Sequence, residues 1–179
     1  MLIVVTGPPA SGKTSAARRL AQRLTIPFLS KDTFKERLYE AFGSGDELEE
    51  QVEAASLAIL YSVAGSQLAA GVSVVAESNF DADSDVGALL RLARERGARI
   101  VQAHIGGDTE ALVRKFASRA DEGGRHPGHR DEPADADELR AKLDAGHWRP
   151  LDLPGELVQA DMDDDEDEIV DRVRAACGR

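Results

Sequence analysis

Short apolar runs alternate with amphipathic stretches along the chain. The apolar runs predict strands over residues 2–6, 26–29, 72–76, 99–105 and 157–160. Apolar residues at helical spacing predict helices over residues 13–24, 33–42, 47–70, 84–96, 109–118, 135–146 and 166–176. The first and third strands are almost continuously apolar, as is typical of strands that helices cover on both faces. The alternating order therefore predicts an α/β domain with a doubly wound parallel sheet.

The composition fits one folded domain over residues 1–179, since apolar residues make up 42% of the chain and charged residues 31%. No apolar run approaches the ~20 residues that cross a bilayer, and the strand predicted at Leu2 leaves no room for a signal peptide. The single cysteine, Cys177, cannot form an internal disulfide, which fits a reducing compartment. A net charge of −11 makes nucleic acid an unlikely partner. We expect a cytoplasmic monomer or homodimer without a membrane partner.

The segment GPPASGKT follows the first strand and fits G-x-x-x-x-G-K-[ST], a loop that cradles nucleotide phosphates. Its glycines allow backbone amides to approach anionic oxygens, Lys13 can reach the β- and γ-phosphates, and the Thr14 hydroxyl can ligate Mg²⁺. The loop therefore predicts a bound nucleotide with Mg²⁺, although the loop itself does not separate a kinase from a GTPase or a motor. The predicted nucleotide-binding residues are Gly7, Pro9, Ala10, Ser11, Gly12, Lys13, Thr14 and Ser15.

A carboxylate, Asp32, follows the second predicted strand within S-K-D-T-F-K. At the carboxyl end of a strand it can accept the proton of an acceptor hydroxyl and orient that hydroxyl for attack. An ordinary helix N-cap is an equally supported role. Lys31 and Lys35 lie four residues apart. They could keep Asp32 ionised or bind an anionic group of the acceptor, and ordinary surface lysines are the alternative.

The third predicted strand ends in V-V-A-E-S-N-F, which places Glu77 and Asn79 at the end of that strand or just after it. We expect Glu77 to reach the surface at the strand end. There it can organise Mg²⁺ through water or bind acceptor hydroxyls, and Asn79 can add polar recognition. A loop carboxylate without a ligand is the alternative.

Residues 119–134 are rich in glycine and proline and are predicted to form a loop. Arg114, Arg119, Arg125 and Arg130 lie on this loop or just before it. A glycine-hinged loop of this kind can close over ATP, stabilise charge on the transferring phosphoryl group and exclude water. A solvated basic loop is the alternative.

These motifs together resemble the small P-loop kinases that act on non-protein acceptors, a group that includes chloramphenicol phosphotransferase, zeta-toxin, gluconate, shikimate and polynucleotide kinases. The resemblance implies a five-stranded parallel sheet of order 2-3-1-4-5, ATP–Mg²⁺ as donor, and a lid over about residues 119–134. It implies Asp32 as catalytic base and Glu77 as a contact to substrate or metal-bound water. It also implies one lid arginine near adenine and one near the phosphates, among Arg119 and Arg125, and Asp161 at the edge of the adenine.

The main hypothesis is an ATP-dependent kinase that phosphorylates a hydroxyl of a small molecule such as an antibiotic, a sugar or a nucleoside. Asp32 is the base, and Lys13, Arg119 and Arg125 stabilise the phosphoryl group. The acceptor is expected between the helix after the second strand, the Glu77 loop and the 47–70 helix. Two alternatives stay open: a kinase of nucleic-acid 5′ ends, and a nucleotide-dependent switch that transfers nothing.

Overall fold

A computed structural model of the chain describes residues 1–43, 45–121, 126 and 135–178. Five strands in this part form one sheet in which every neighbouring pair is parallel, in the order β2-β3-β1-β4-β5. The strands are β1 (Leu2–Thr6), β2 (Phe28–Ser30), β3 (Val74–Glu77), β4 (Ile100–Gly106) and β5 (Glu156–Asp161).

Seven helices lie in the described part of the chain. They are α1 (Lys13–Leu24), α2 (Lys31–Phe42), α3 (Asp46–Ala69), α4 (Val86–Glu95), α5 (Thr109–Asp121), α6 (Asp135–Asp144) and α7 (Glu166–Ala176). The predicted α/β class, sheet order and parallel pairing are therefore confirmed.

Alternation along β1 divides the core into two layers, because successive strand residues point to opposite faces of a sheet. Ile3 and Val5 pack with α1 and α7 on one face. Leu2 and Val4 pack with α3 and α4 on the other. Because both faces of β1 are covered, all five of its residues are buried, as the continuous apolar run predicts.

The long helix α3 is by length and composition apolar enough, over Glu47–Ala69, to cross a membrane. The sequence analysis predicted no segment long and apolar enough to cross a membrane, so this property of α3 was not expected. Leu60, Ala64 and Leu68 on α3 are buried in the layer that covers the sheet. A core helix of a folded domain passes the same test, and here 33% of the apolar window is buried.

Two helix boundaries differ from the sequence prediction in ways that affect the site. Helix α2 begins at Lys31, directly after β2, rather than at residue 33. Helix α5 continues to Asp121, so that Arg119 lies in its last turn and not in a loop. Most of the predicted lid, residues 122–125 and 127–134, lies outside the described residues.

Candidate functional site

The loop between β1 and α1 closes tightly against the neighbouring strand. Gly7 has φ 149°, and a Cβ at this position would lie 2.0 Å from the carbonyl oxygen of Ile105 in β4. Gly12, the N-cap of α1, is left-handed with φ 85°. Both positions therefore require glycine, one for space and the other for its backbone conformation.

Lys13 is held inside this loop. Its ammonium group donates to the carbonyl oxygen of Pro8 across 3.0 Å, and the side chain is buried. The first turn of α1 contains no acidic residue, and its N-cap residue, Gly12, makes no side-chain capping hydrogen bond. The loop thus presents a cation and the positive end of a helix dipole to the same space, which suits a polyphosphate.

Glu77, the last residue of β3, connects three elements at the carboxyl edge of the sheet. Its Oε1 accepts from the Thr14 hydroxyl at 3.2 Å, and its Oε2 accepts from the Ser30 hydroxyl at 2.7 Å. The residue is only 2% exposed, whereas the sequence prediction placed it at the surface. The difference arises because hydroxyls from α1 and β2 enclose the carboxylate, so that it is buried with both oxygens hydrogen-bonded.

The donor set around Glu77 fits Mg²⁺. A hydroxyl oxygen and a carboxylate oxygen are hard ligands, and Mg²⁺ is usually held by one or two such groups together with water and substrate phosphates. Among the described residues, no cluster of three or more His, Cys, Asp or Glu side chains forms a site for a metal. The Thr14–Glu77 pair beside the phosphate loop is therefore the place at which these residues would hold the ion.

Asp32 lies in the first turn of α2, two residues after the N-cap Ser30. Ser30 is the N-cap residue of α2, so Asp32 does not have the alternative role of helix cap. Through Ser30 and Glu77, the start of α2 is hydrogen-bonded to Thr14 of the phosphate loop. Asp32, the predicted base, therefore lies on α2, and the hydrogen bonds of Glu77 to Ser30 and Thr14 connect the start of this helix to the phosphate loop.

Lys31 and Lys35 both pair with Glu53 of α3. Lys31 contacts Oε1, and the ammonium nitrogen of Lys35 lies 3.1 Å from Oε2. Burial alone would lower the pKa of Lys35, but the charge and hydrogen bond of Glu53 outweigh it, so the pKa is raised. Burial would likewise raise the pKa of Glu53, and the two lysines instead hold it below its ordinary value. The structure therefore gives these lysines a carboxylate partner that the sequence reasoning missed.

The predicted lid arginines are only partly described. The guanidinium carbon of Arg119 lies 5.5 Å from the centre of the Phe116 ring, within α5. Arg125 and Arg130 lie outside the described residues. His126 is described, and its Nε2 lies 3.8 Å from Oε1 of Glu40 near the end of α2.

Asn79 and Asp161 lie at the same carboxyl edge of the sheet. The Oδ1 atom of Asn79 is buried and has no hydrogen-bond partner among the described residues. Asp161 ends β5 and is exposed, and its Oδ1 accepts from the amide of Asp163 at 3.0 Å in a tight turn. Asn79 thus follows β3 and Asp161 is the last residue of β5, and open α/β sheets bind ligands at these strand ends.

Ser15, the residue after Thr14, is joined to the start of α7. Its hydroxyl donates to Oε2 of Glu166 at 2.6 Å. One turn further along α1, Arg19 makes a bidentate contact with Asp167, and its Nε lies 2.7 Å from Oδ1. Glu166 and Asp167 therefore connect the start of α7 to α1, the helix that follows the phosphate loop, and no local sequence pattern indicated these contacts.

A glycine-rich loop between the first strand and the first helix, in a parallel sheet of order 2-3-1-4-5, defines a P-loop nucleotide-binding domain. The family model AAA_33, described as an AAA domain, matches residues 2–143. The chain belongs to this family.

Solved structures support the same fold. A proposed kinase from Chloroflexus aurantiacus is 36% identical, with a TM-score of 0.87 over 98% of this chain and 97% of that chain. Kti12 from Chaetomium thermophilum, in complex with ADP-AlF3, is 24% identical, with a TM-score of 0.69 over 98% of both chains. A gluconokinase from Sinorhizobium meliloti is 20% identical, with a TM-score of 0.59 over 99% of this chain and 91% of that chain. No curated protein matches the chain significantly. The resemblance to small P-loop kinases is confirmed.

Proposed function

We propose that the protein transfers the γ-phosphoryl group of ATP to a hydroxyl group of a small molecule. One observation carries the proposal: Thr14, Glu77 and Ser30 form a continuous hydrogen-bond chain from the phosphate loop to the start of α2. Two residues beyond Ser30 is Asp32, a carboxylate suited to accept a proton.

Each residue has a distinct proposed role on the donor side. Lys13 and the amides at the start of α1 bind and neutralise the phosphates, and Thr14 with Glu77 holds Mg²⁺. When bound, Mg²⁺ supplies charge neutralisation on the β- and γ-phosphate oxygens. Ser15 and the other loop residues contact the nucleotide, and Asp161 borders the base. The Kti12 structure with ADP-AlF3 supports nucleotide binding by this fold.

In the transfer step, the acceptor oxygen forms a bond to the γ-phosphorus while the bond from that phosphorus to the β,γ-bridging oxygen breaks. Asp32 accepts the hydroxyl proton, and ADP leaves with the bonding electron pair. We assign to Arg119 and Arg125 the stabilisation of charge on the phosphoryl group, as the resemblance to the kinases implies. We also propose a cytoplasmic monomer or homodimer that does not act on nucleic acid or membranes.

The test combines ATP, Mg²⁺ and a panel of hydroxyl compounds with mass detection of phosphorylated products. We expect Asp32→Asn to lower product formation by roughly 10²-fold while ATP still binds. Asp152→Asn is a matched control, since Asp152 is exposed in the segment before β5. ADP formation that responds to no hydroxyl compound, and that Asp32→Asn leaves unchanged, would contradict the proposal and favour a nucleotide-dependent switch.

A further inference from the structure

Two buried polar side chains lie next to each other where the phosphate loop begins. Thr6 is the last residue of β1, directly before Gly7, and it is paired in register with His104 of β4. Paired residues on adjacent parallel strands point to the same face of a sheet, and the strands are about 4.8 Å apart. Thr6 is 0% exposed and His104 is 8% exposed. The hydroxyl and the imidazole are therefore neighbours inside the protein.

Both side chains bury a polar atom that the chain itself does not pair. Oγ1 of Thr6 and Nδ1 of His104 are buried, and neither has a hydrogen-bond partner among the described residues. Buried polar atoms in folded proteins are nearly always hydrogen-bonded, either to protein groups or to ordered water. A hydroxyl can donate or accept, and a neutral imidazole has one donating and one accepting nitrogen, so both atoms can bond to a water molecule.

The orientation of the imidazole places Nδ1 inside the protein. A Cβ at Gly106, the last residue of β4, would lie 3.5 Å from Nε2 and 3.8 Å from Cδ2 of His104. This edge of the ring therefore lies beside Gly106. Because Nδ1 is on the opposite side of the ring from that edge, it faces away from the end of the strand.

Gln102 provides a comparison, because it is buried on the same face of β4, two residues before His104. Its amide group pairs with the backbone N–H and carbonyl of Leu151 at 2.9 and 3.0 Å when its oxygen and nitrogen are assigned to match them. Gln102 thus finds its partners within the chain, whereas the described residues offer none to the two atoms of Thr6 and His104.

The backbone of the phosphate loop meets β4 one residue beyond this pair. Gly7 follows Thr6 and Ile105 follows His104, and a Cβ at Gly7 would lie 2.0 Å from the carbonyl oxygen of Ile105. Oγ of Ser11, which is also buried without a partner among the described residues, would lie 3.2 Å from the same Cβ. Contacts this close leave the loop little room to adapt, so a change in the separation of β1 and β4 alters how the loop begins.

We propose that Thr6 and His104 bind an ordered water molecule between them and so act as positioning residues for the phosphate loop. A buried water makes about two to four hydrogen bonds, which is enough to pair both atoms. The water fixes the end of β1 against β4, and with it the entry of the chain into Gly7. The inference rests on the proposed function only in that the loop binds a nucleotide, and it does not depend on transfer to an acceptor.

Thr6→Val is the first test, because valine has the shape of threonine without the hydroxyl. Removal of a buried hydroxyl that has no partner leaves the stability unchanged or raises it, whereas removal of one that holds a bound water lowers it. We expect the melting temperature to fall by about 2 to 4 °C. We expect the dissociation constant of ADP with Mg²⁺, measured by calorimetric titration of the folded protein, to rise by about 3-fold to 5-fold. Thr33→Val is the matched control, since Thr33 is exposed on α2.

His104→Asn and His104→Leu form the second test. The asparagine amide places a polar atom close to the position of Nδ1, whereas leucine places none there. We expect His104→Asn to keep the ADP dissociation constant within about 2-fold of the wild-type value and His104→Leu to raise it by about 3-fold to 5-fold. The double variant Thr6→Val with His104→Leu should weaken ADP binding no more than the larger single change, because the two residues share one water.

A high-resolution crystal structure of the full chain tests the water directly. We expect density for a water molecule within hydrogen-bond distance of both Oγ1 of Thr6 and Nδ1 of His104. Absence of that density, a Thr6→Val variant as stable as wild type that binds ADP as tightly, or additive effects in the double variant would overturn the inference. Absence of ADP binding by the wild type would instead contradict the proposed function, and the density and the melting temperatures would still decide the inference.

Discussion

The Thr14 hydroxyl lies 3.2 Å from Oε1 of Glu77, and this contact joins the first turn of α1 to the end of β3. The other oxygen of Glu77 accepts from Ser30 at 2.7 Å, so the carboxylate is fixed from two sides. A buried carboxylate held in this way is pre-positioned for a cation beside the phosphate loop, since its hydrogen bonds leave it little freedom to turn away.

Replacing Glu77 with glutamine should lower phosphoryl transfer without unfolding the protein. The amide has one acceptor oxygen where the carboxylate has two, so either Thr14 or Ser30 loses its acceptor. We expect turnover to fall by roughly 10-fold to 100-fold, and the Mg²⁺ concentration for half-maximal turnover to rise, because a charged ligand is lost. Steady-state turnover across a Mg²⁺ titration measures both effects.

Glu95→Gln is the control for this change, since Glu95 is an exposed residue of α4. It should leave turnover and the Mg²⁺ titration as they are. An unchanged Mg²⁺ requirement in Glu77→Gln, with melting temperature and ATP affinity retained, would show that Glu77 does not act on the ion.

Local sequence patterns predicted the strands, the phosphate loop and the residues that follow the strands. These features depend on neighbouring residues, such as the continuous apolar run of β1 followed by GPPASGKT. Partners across helices were not predictable, because they depend on packing. Lys31 and Glu53 are 22 residues apart, and Ser15 and Glu166 are 151 residues apart. The burial of Glu77 was missed because its hydroxyl partners come from two other elements.

Removing the Glu53 carboxylate should destabilise the contact between α2 and α3. Glu53→Gln leaves Lys31 and Lys35 close together without the carboxylate that they share. The Glu53 side chain is 44% exposed, so solvent screens the interaction, and we expect a loss of about 1 kcal/mol in the free energy of unfolding at pH 7. Urea denaturation measures it, with Glu50→Gln as the control on the same helix.

The contribution of the Glu53 carboxylate to the free energy of unfolding should decline at both low and high pH. The pKa of Glu53 in the folded protein lies below its ordinary value of 4.5, so its contribution is complete above that value and declines as the pH falls through the folded pKa. The pKa of Lys35 is raised above 10.5, so its contribution is complete below that value and declines at higher pH. The difference between wild type and Glu53→Gln should therefore be largest between about pH 6 and 9. A difference that grows below pH 4 would contradict this account.

His104 on β4 should make the protein less stable in mild acid. The residue is buried, its Nδ1 has no hydrogen-bond partner among the described residues, and burial lowers its pKa below 6.5. As the pH falls below 6.5, the unfolded chain binds a proton at this residue before the folded protein does. This residue then lowers the free energy of unfolding by up to about 1.4 kcal/mol per pH unit.

The His104 prediction is tested by urea denaturation at pH 7.5, 6.5 and 5.5. His104→Gln should lose less stability than wild type over this range, whatever its stability at pH 7.5. His147→Gln, which removes an exposed histidine, should follow the wild-type slope. Equal slopes for wild type and His104→Gln would show that His104 does not titrate in this way.

Alanine at Gly7 and at Gly12 should have unequal effects, although both glycines belong to the same loop motif. At Gly7 the added Cβ meets the Ile105 carbonyl oxygen at 2.0 Å, so either β4 or the loop must move. At Gly12, apart from the adjacent backbone, no heavy atom of the described residues lies within 4 Å of the added Cβ, and the left-handed backbone is what opposes the change. We expect losses in the free energy of unfolding of about 3 kcal/mol or more for Gly7→Ala and about 1 kcal/mol for Gly12→Ala. Urea denaturation and ATP titration of both variants measure the difference, and equal destabilisation would mean that the close approach of Gly7 to β4 does not limit the loop.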